Sequence, residues 1–276
     1  MINKCLFPAA GYGTRFLPVT KAVPKEMLPI LTKPLLQFAV EEALSAGIKN
    51  MAIVTGKGKR AIEDHFDNAL EIESQLIGTS KEHYLKEIKE IIRKSTFTYT
   101  RQKKMLGLGD AVLTAKPLIG KQPFAMILAD DLCDYSKNSL ISQMIQIYIQ
   151  YECSIVAFKE VPMNQTKNYG IINAAPINDS KNIFNVVDLI EKPQNNEFNS
   201  NMAIIGRYIL TPDIFDILSE TKPDENGEVQ ITDALKIQAK QGRLLAYKFE
   251  GRRFDCGSVK GYLDANNFYA HKQGLL

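Results

Sequence analysis

The chain has 276 residues, of which 45% are hydrophobic and 24% charged, and its formal net charge is +3. A chain of this length can bury a substantial core and suits one large α/β domain, and so mild a charge does not favour nucleic acid as its main partner. We find no signal-peptide pattern at the N-terminus and no apolar run near the ~20 residues of a membrane span. The four cysteines lack C-x-x-C spacing, which indicates reduced thiols in a cytoplasmic protein.

The first elements predict a βαβ unit. Residues 5–7 form a short apolar run, typical of a buried strand, and Pro8 ends it. A helical pattern of apolar residues then begins at Pro34 and stops at Gly47, and residues 51–54 form the next strand. Strand, helix and strand in this order predict a parallel pair joined by a right-handed crossover.

The remaining elements extend this pattern along the chain. Residues 60–94 are mixed and charged and predict helix, and residues 97–101 predict a strand. The stretch 124–129 is almost purely apolar, as expected at the centre of a parallel sheet, and it ends in Asp130 and Asp131. Further strands are predicted at 154–158, 171–175, 184–190, 202–210 and 244–249, and helices at 139–151, 229–239 and 259–271. We therefore expect an α/β fold with a Rossmann-like mixed, mostly parallel central sheet flanked by helices.

The loop after the first strand has the features of a phosphate-binding site. Its small residues are Ala9, Ala10, Gly11 and Gly13. Backbone N–H groups in such a turn form a concavity that binds anions. Arg15 and Lys25 follow, a rigid fork of donors and a point charge, which together suit a polyphosphate. The alternative interpretation of this loop is an ordinary glycine turn with solvated basic residues. The sequence motifs of a P-loop and of a dinucleotide-binding fold are absent, so hydride chemistry on a nicotinamide is disfavoured.

The motifs A-A-G-x-G-T-R-F-L-P and P-K-E-M-L-P resemble those of the sugar-phosphate nucleotidylyltransferases, most closely the bacterial branch that joins UTP to glucose 1-phosphate. The resemblance implies the nucleotide-diphospho-sugar transferase fold in a single domain, 1–276. It implies that residues 1–135 mainly bind the nucleotide, while residues 136–276, including the C-terminal helix, mainly bind the sugar. It further implies transfer of the uridylyl group of UTP to glucose 1-phosphate with release of pyrophosphate, Mg²⁺ as the cofactor, and a homo-oligomer.

This chemistry needs no general base, because the attacking phosphate is already an anion near neutral pH. Catalysis then depends on charge neutralisation and in-line alignment. The resemblance implies that the residues with these roles are Arg15, Lys25, Asp130 and Lys192. Asp130 follows a predicted central strand, where open α/β sheets place their ligands, and it matches the metal aspartate of the family. Asp255, in a late family motif, completes the expected metal site. For Asp131 and Asp255, helix or turn capping is the alternative interpretation.

The resemblance implies that the nucleotide is bound by Ala9, Ala10, Gly11, Gly13, Thr14, Arg15, Lys25, Glu26, Gln102, Gly107 and Asp130. The Gln102 amide can meet one donor and one acceptor of uracil. Because a bare amide could flip to suit cytosine, we expect backbone groups near Ala9, Ala10 and Gly107 to fix the choice. Position 110 is Asp, where we expect His in many close relatives, and an acid is favourable at a helix start. A solvated basic strand end is the alternative for residues 101–104.

The resemblance implies that the sugar phosphate is bound by Asp131, Gly170, Glu191, Lys192, Gly206 and Glu228. Glu191 can accept hydrogen bonds from sugar hydroxyls, Lys192 can hold the attacking phosphate, and glycine at 170 and 206 would let the backbone approach the sugar. Two alternatives stay open. One is a sister enzyme that uses another nucleotide or sugar phosphate, and the other is a catalytically silent nucleotide-sugar-binding regulator.

Overall fold

The apolar runs of the sequence become neighbouring strands of one large sheet in the computed structural model, which describes residues 2–177, 180–194 and 198–276. The described strands are β1 Lys4–Pro8, β2 Pro29–Ile30, β3 Lys33–Pro34, β4 Asn50–Thr55, β5 Thr96–Arg101, β6 Phe124–Ile127, β7 Asp131–Asp134, β8 Ser154–Glu160, β9 Gly170–Pro176, β10 Ile183–Glu191, β11 Met202–Leu210, β12 Leu244–Lys248 and β13 Arg252–Asp255. The described α-helices are α1 Leu35–Ser45, α2 Arg60–His65, α3 Leu70–Leu76, α4 Lys86–Lys94, α5 Gly107–Thr114, α6 Lys116–Ile119, α7 Leu140–Tyr151, α8 Ile214–Glu220, α9 Ile231–Lys240 and α10 Val259–Lys272.

The large sheet has the strand order β5-β4-β1-β6-β11-β8-β12-β10-β9. Parallel pairing joins β5, β4, β1 and β6, and also β8 and β12. Only β11 and β10 run in the opposite direction among the described strands of this sheet. The expected mixed, mostly parallel α/β sheet is therefore confirmed. Two small antiparallel pairs, β2 with β3 and β7 with β13, lie outside it.

Both faces of the large sheet are covered, which explains why its strands are almost continuously apolar. Along β1, Phe7 packs into a core with residues of α1 and α7, such as Leu36 and Met144. Its neighbour Leu6 packs into a second core with residues of α5, such as Val112. Successive side chains of a strand point to opposite faces, so alternate residues enter different cores. Burial on both sides holds the carboxyl ends of the parallel strands along one edge of the sheet.

The structure also contains elements that the sequence pattern did not predict. The helices α5 and α8 are short, and α5 begins with Gly107, a poor helix former. The pair β7 and β13 joins segments about 120 residues apart along the chain, so local pattern cannot reveal it. The strand predicted at 124–129 ends at Ile127, which places Asp130 in the loop that follows. None of the described helices combines the length and the apolar character needed to cross a membrane.

Candidate active site

The glycine loop leaves the sheet directly after β1. The Ala9 N–H still donates to the Val54 carbonyl at 2.8 Å, and the chain then turns away. Gly13 lies in the left-handed region, with φ 67°, at the start of a tight 3-10 turn. Within the described residues, the backbone N–H groups of residues 11–14 donate to no protein acceptor. Orphaned donors at a turn of this kind are suited to binding a phosphate.

Two carboxylates converge beside this loop. Asp130 lies three residues beyond β6, and Asp255 ends β13, whose register with β7 pairs Asp255 with Asp131. A Cβ atom built on Gly257 would lie 3.1 Å from both Asp130 Oδ2 and Asp255 Oδ1. Because a methyl group there would crowd both oxygens, Gly257 keeps the space between the carboxylates open. Asp255 Oδ1 also accepts the Gly257 N–H at 3.1 Å, so the turn-capping interpretation describes part of its role.

This pair of acids fits a hard divalent cation that takes its other ligands from substrate and water. In the described part of the chain, no group of three or more His, Cys, Asp or Glu residues could hold a metal without outside ligands. A cation bound through one or two carboxylates plus substrate phosphates is the usual arrangement for Mg²⁺. The donor set at Asp130 and Asp255 has this chemistry.

Cations surround Asp130. The Lys25 ammonium lies 2.6 Å from Asp130 Oδ2, and Arg15 Nη1 donates to the Gly257 carbonyl at 3.4 Å. Burial opposes the charged form of Lys25, but the carboxylates of Asp130 and Glu26 together outweigh it and raise the lysine pKa. Burial likewise favours neutral Asp130, but Lys25 outweighs it and lowers the pKa of that acid. Both groups are therefore charged at neutral pH.

Two cavities meet at Asp130. The base-side cavity has a volume of about 380 Å³ and is lined by the glycine loop, Lys25, Gln102 and Gly107. The sugar-side cavity has about 500 Å³ and is lined by Arg15, Glu191 and Lys192 among others. The residues common to both linings are Leu108, Leu128, Asp130 and Glu228. A roomier depression of about 990 Å³ beside α4 contains none of the predicted site residues, so chemistry and not size selects the candidate site.

On the sugar side, an acid and a base are adjacent in sequence and in space. Lys192 Nζ lies 3.5 Å from Glu191 Oε1, and the Lys192 backbone has the unusual φ of 45°. Burial raises the pKa of Glu191, although Lys192 opposes this. At both glycines of the predicted sugar site, other residues of the protein already fill the space that a side chain would need. A Cβ on Gly170 would meet Thr232 at 2.9 Å, and one on Gly206 would meet Leu128 at 2.7 Å.

Some expected site residues lie behind the cavity walls. Glu26 is 1% exposed, and Lys59 donates to its carboxylate at 2.7 Å. Ala9 is equally buried. Asp131 borders the sugar-side cavity, but its carboxylate accepts from the Gly206 N–H at 2.7 Å and from Arg253. Glu26 and Asp131 therefore support the loops of the site, and direct substrate contacts by these side chains stay predictions.

Three further charged residues of this neighbourhood were not among the predicted site residues. Arg207 is 2% exposed inside β11, where it is paired with Glu42 of α1. A signal was present, because a charged residue inside an apolar strand must find a partner. Arg253 and Lys59 also belong to the set that positions the site, but nothing local distinguishes them from solvated surface bases.

The arrangement places two neighbouring cavities between cations and a carboxylate pair, at the edge of the sheet where open α/β proteins bind ligands, and both cavities suit phosphate compounds. Fold and site together therefore define an α/β enzyme of the nucleotide-transferring class.

Comparison with known proteins agrees with this class. The chain belongs to the nucleotidyl transferase family, whose sequence profile matches residues 6–272. It is 59% identical to the UTP–glucose-1-phosphate uridylyltransferase of Pseudomonas aeruginosa, over 97% of this chain and 96% of the relative. The crystal structure of an apo UDP-glucose pyrophosphorylase is 57% identical and superposes with a TM-score of 0.95, covering 99% of this chain and 100% of that one. A UDP-glucose pyrophosphorylase complexed with UDP-glucose is 55% identical, with a TM-score of 0.91 over the same shares. The family indicated by the motifs is thus confirmed.

Proposed function

We propose that this enzyme transfers the uridylyl group of UTP to α-D-glucose 1-phosphate, giving UDP-glucose and pyrophosphate. The observation that carries the proposal is the pair of cavities that meet at Asp130. One cavity offers an amide and orphaned N–H groups, as a nucleotide requires, and the other offers an acid–base pair, as a sugar phosphate requires. The relatives that share most of the sequence bear the name of this reaction, and one solved neighbour contains its product.

UTP occupies the base-side cavity in this proposal. Uracil lies at Gln102 and Gly107, and the triphosphate runs along Gly11, Gly13 and Thr14 toward Arg15 and Lys25. The triphosphate carries about four negative charges, so its binding requires the donors and cations that converge here. Lys25 is then placed to stabilise charge as it shifts onto the departing pyrophosphate.

Glucose 1-phosphate occupies the sugar-side cavity. The carboxylates of Glu191 and Glu228 accept hydrogen bonds from sugar hydroxyls, the backbone at Gly170 and Gly206 lines the sugar, and Lys192 holds the phosphate. A phosphate oxygen attacks the α-phosphorus of UTP, forming a new P–O bond. The bond from the α-phosphorus to the β-bridging oxygen breaks, and pyrophosphate departs with its electron pair.

Asp130 and Asp255 would hold Mg²⁺, as the space kept open by Gly257 supports. When bound, the ion neutralises phosphate charge during the transfer. Lys25 and Arg15 lie beside these two acids and add positive charge to the place where the phosphates would bind.

A panel of nucleotides and sugar 1-phosphates tests the proposal. We expect the fastest pyrophosphate release with UTP and glucose 1-phosphate, and loss of activity with a chelator that added Mg²⁺ reverses. Faster release with dTTP, CTP or ATP, or with another sugar phosphate, would identify a sister enzyme. Tight binding of UDP-glucose with no pyrophosphate release from any pair would identify a silent regulator instead.

The single domain of residues 1–276 acts in this proposal as a cytoplasmic homo-oligomer. The four cysteines are free thiols, which a reducing compartment maintains. Sedimentation equilibrium of the purified protein measures the number of subunits, and cell fractionation followed by immunodetection measures the location. A monomer at micromolar concentration, or recovery outside the cytoplasmic fraction, would contradict this part of the proposal.

A further inference from the structure

The side-chain amide of Gln102 donates hydrogen bonds to two acceptors of the protein. It is 5% exposed and lines the base-side cavity. Its Nε2 donates to Asp110 Oδ2 at 2.6 Å and to the Gly107 carbonyl at 3.2 Å. Gly107 is held in the left-handed region with φ 91°, where an added Cβ would lie 2.8 Å from the Val229 carbonyl. The position of the second acceptor is therefore fixed by the packing of the backbone.

Only one orientation of the amide is compatible with these neighbours. A carboxylate and a carbonyl can accept hydrogen bonds but cannot donate them. If the amide of Gln102 were flipped, its oxygen would face two other oxygens, and Nε2 would lose both acceptors. No described residue donates to Oε1 in the observed orientation, so this oxygen is the group that Gln102 offers to a ligand.

We infer that Asp110 is a positioning residue that makes Gln102 select pyrimidines with a protonated N3. This inference rests on the proposed function and concerns how the same site chooses its nucleotide. Uracil and thymine carry an N–H at N3, which Gln102 Oε1 can accept. Cytosine carries an unprotonated acceptor at N3, which would face Oε1 without a hydrogen between them and leave two buried acceptors in conflict. The hydrogen bond to Asp110 thus prevents the amide of Gln102 from flipping to suit cytosine.

The test measures kcat/KM for UTP, dTTP and CTP with Asp110→Ala. Loss of a hydrogen bond to a charged group frees the amide to rotate, and we expect the preference for UTP over CTP to narrow about tenfold. The ratio of UTP to dTTP should stay unchanged, because both bases present the same N3–H. Asp110→Asn retains an acceptor at this position, and we expect it to keep most of the preference.

Asp216→Ala is a matched control. Asp216 lies in the first turn of α8 as Asp110 lies in the first turn of α5, so both changes remove an acid from the start of a short helix. We expect the control to leave the ratio of UTP to CTP as it is in the wild type. Equal losses for all three nucleotides in Asp110→Ala, or an unchanged ratio of UTP to CTP, would overturn the inference. A wild-type enzyme that does not prefer UTP would instead refute the proposed function, so the two failures are distinguishable.

Discussion

Removing the buried charge of Glu42 should destabilise the protein strongly. Arg207 donates to Glu42 Oε2 from Nε at 3.1 Å and from Nη2 at 2.8 Å, and both side chains are almost inaccessible to water. In Glu42→Gln the guanidinium remains buried without its counter-ion. Breaking a buried pair in this way costs about 3–5 kcal/mol. For a domain of about this size, that corresponds to a fall in Tm of roughly 6–20 °C.

The same pair supports the active site, because Arg207 Nη1 also donates to the carbonyls of Leu128 and Asp131 on either side of Asp130. We therefore expect Glu42→Gln to lower kcat as well as Tm. Thermal and urea unfolding measure the stability, and pyrophosphate release measures kcat.

A double replacement separates the loss of the counter-ion from a loss of packing. In Glu42→Leu combined with Arg207→Met both charges are absent, so the loss of stability should be well below the sum of the single losses. The exposed pair of Glu90 and Lys94 provides a control, and Glu90→Gln should hardly change Tm. Additive losses in the double variant, or a Glu42→Gln protein as stable as Glu90→Gln, would show that the charge pair does not control stability.

Three further predictions concern the metal, the sugar phosphate and the response to acid. Asp130→Asn keeps the shape of a proposed metal ligand but removes its charge, so kcat should fall at least ~10²-fold; unchanged activity and Mg²⁺ dependence would remove the assignment. Lys192→Ala should raise the KM for glucose 1-phosphate and lower kcat, because the nucleophile loses its alignment. If steady-state kinetics showed a change only in the parameters for UTP, the sugar-side cavity would bind UTP and not glucose 1-phosphate. Burial would raise the pKa of Asp213, but hydrogen bonds from Thr211 and Gln238, together with the charge of Arg243, outweigh it and lower the pKa. The stabilisation by this charge is therefore complete above the unfolded-state pKa of about 3.9 and is lost as the pH falls through the lower folded value. Asp213→Asn should make Tm decline less steeply below pH 4, and parallel profiles for variant and wild type would contradict this.

Much of the fold and part of the candidate site follow from local sequence. The apolar runs predicted the strands that form the large sheet, because burial on both faces requires continuous apolar residues. The break of β1 at Pro8 into glycines, followed by Arg15 and Lys25, predicted an anion-binding loop beside the sheet. Asp130 was placed near a strand end by the same local logic. These features depend on neighbours in sequence, so pattern and motif are sufficient to find them.

The sequence alone does not show which charged groups neutralise one another, because that depends on how the chain folds. Glu42 and Arg207 are 165 residues apart and meet because α1 and β11 contribute to the same hydrophobic core. Asp131 is engaged by Arg253 because β7 and β13 pair, and Asp110 reaches Gln102 because α5 folds back beside the end of β5. A carboxylate has the same sequence signature whether it faces a substrate, a metal or a buried base. Its role is fixed by distances of a few ångströms in the folded chain, since desolvation and Coulomb energy depend on those distances and not on position along the sequence.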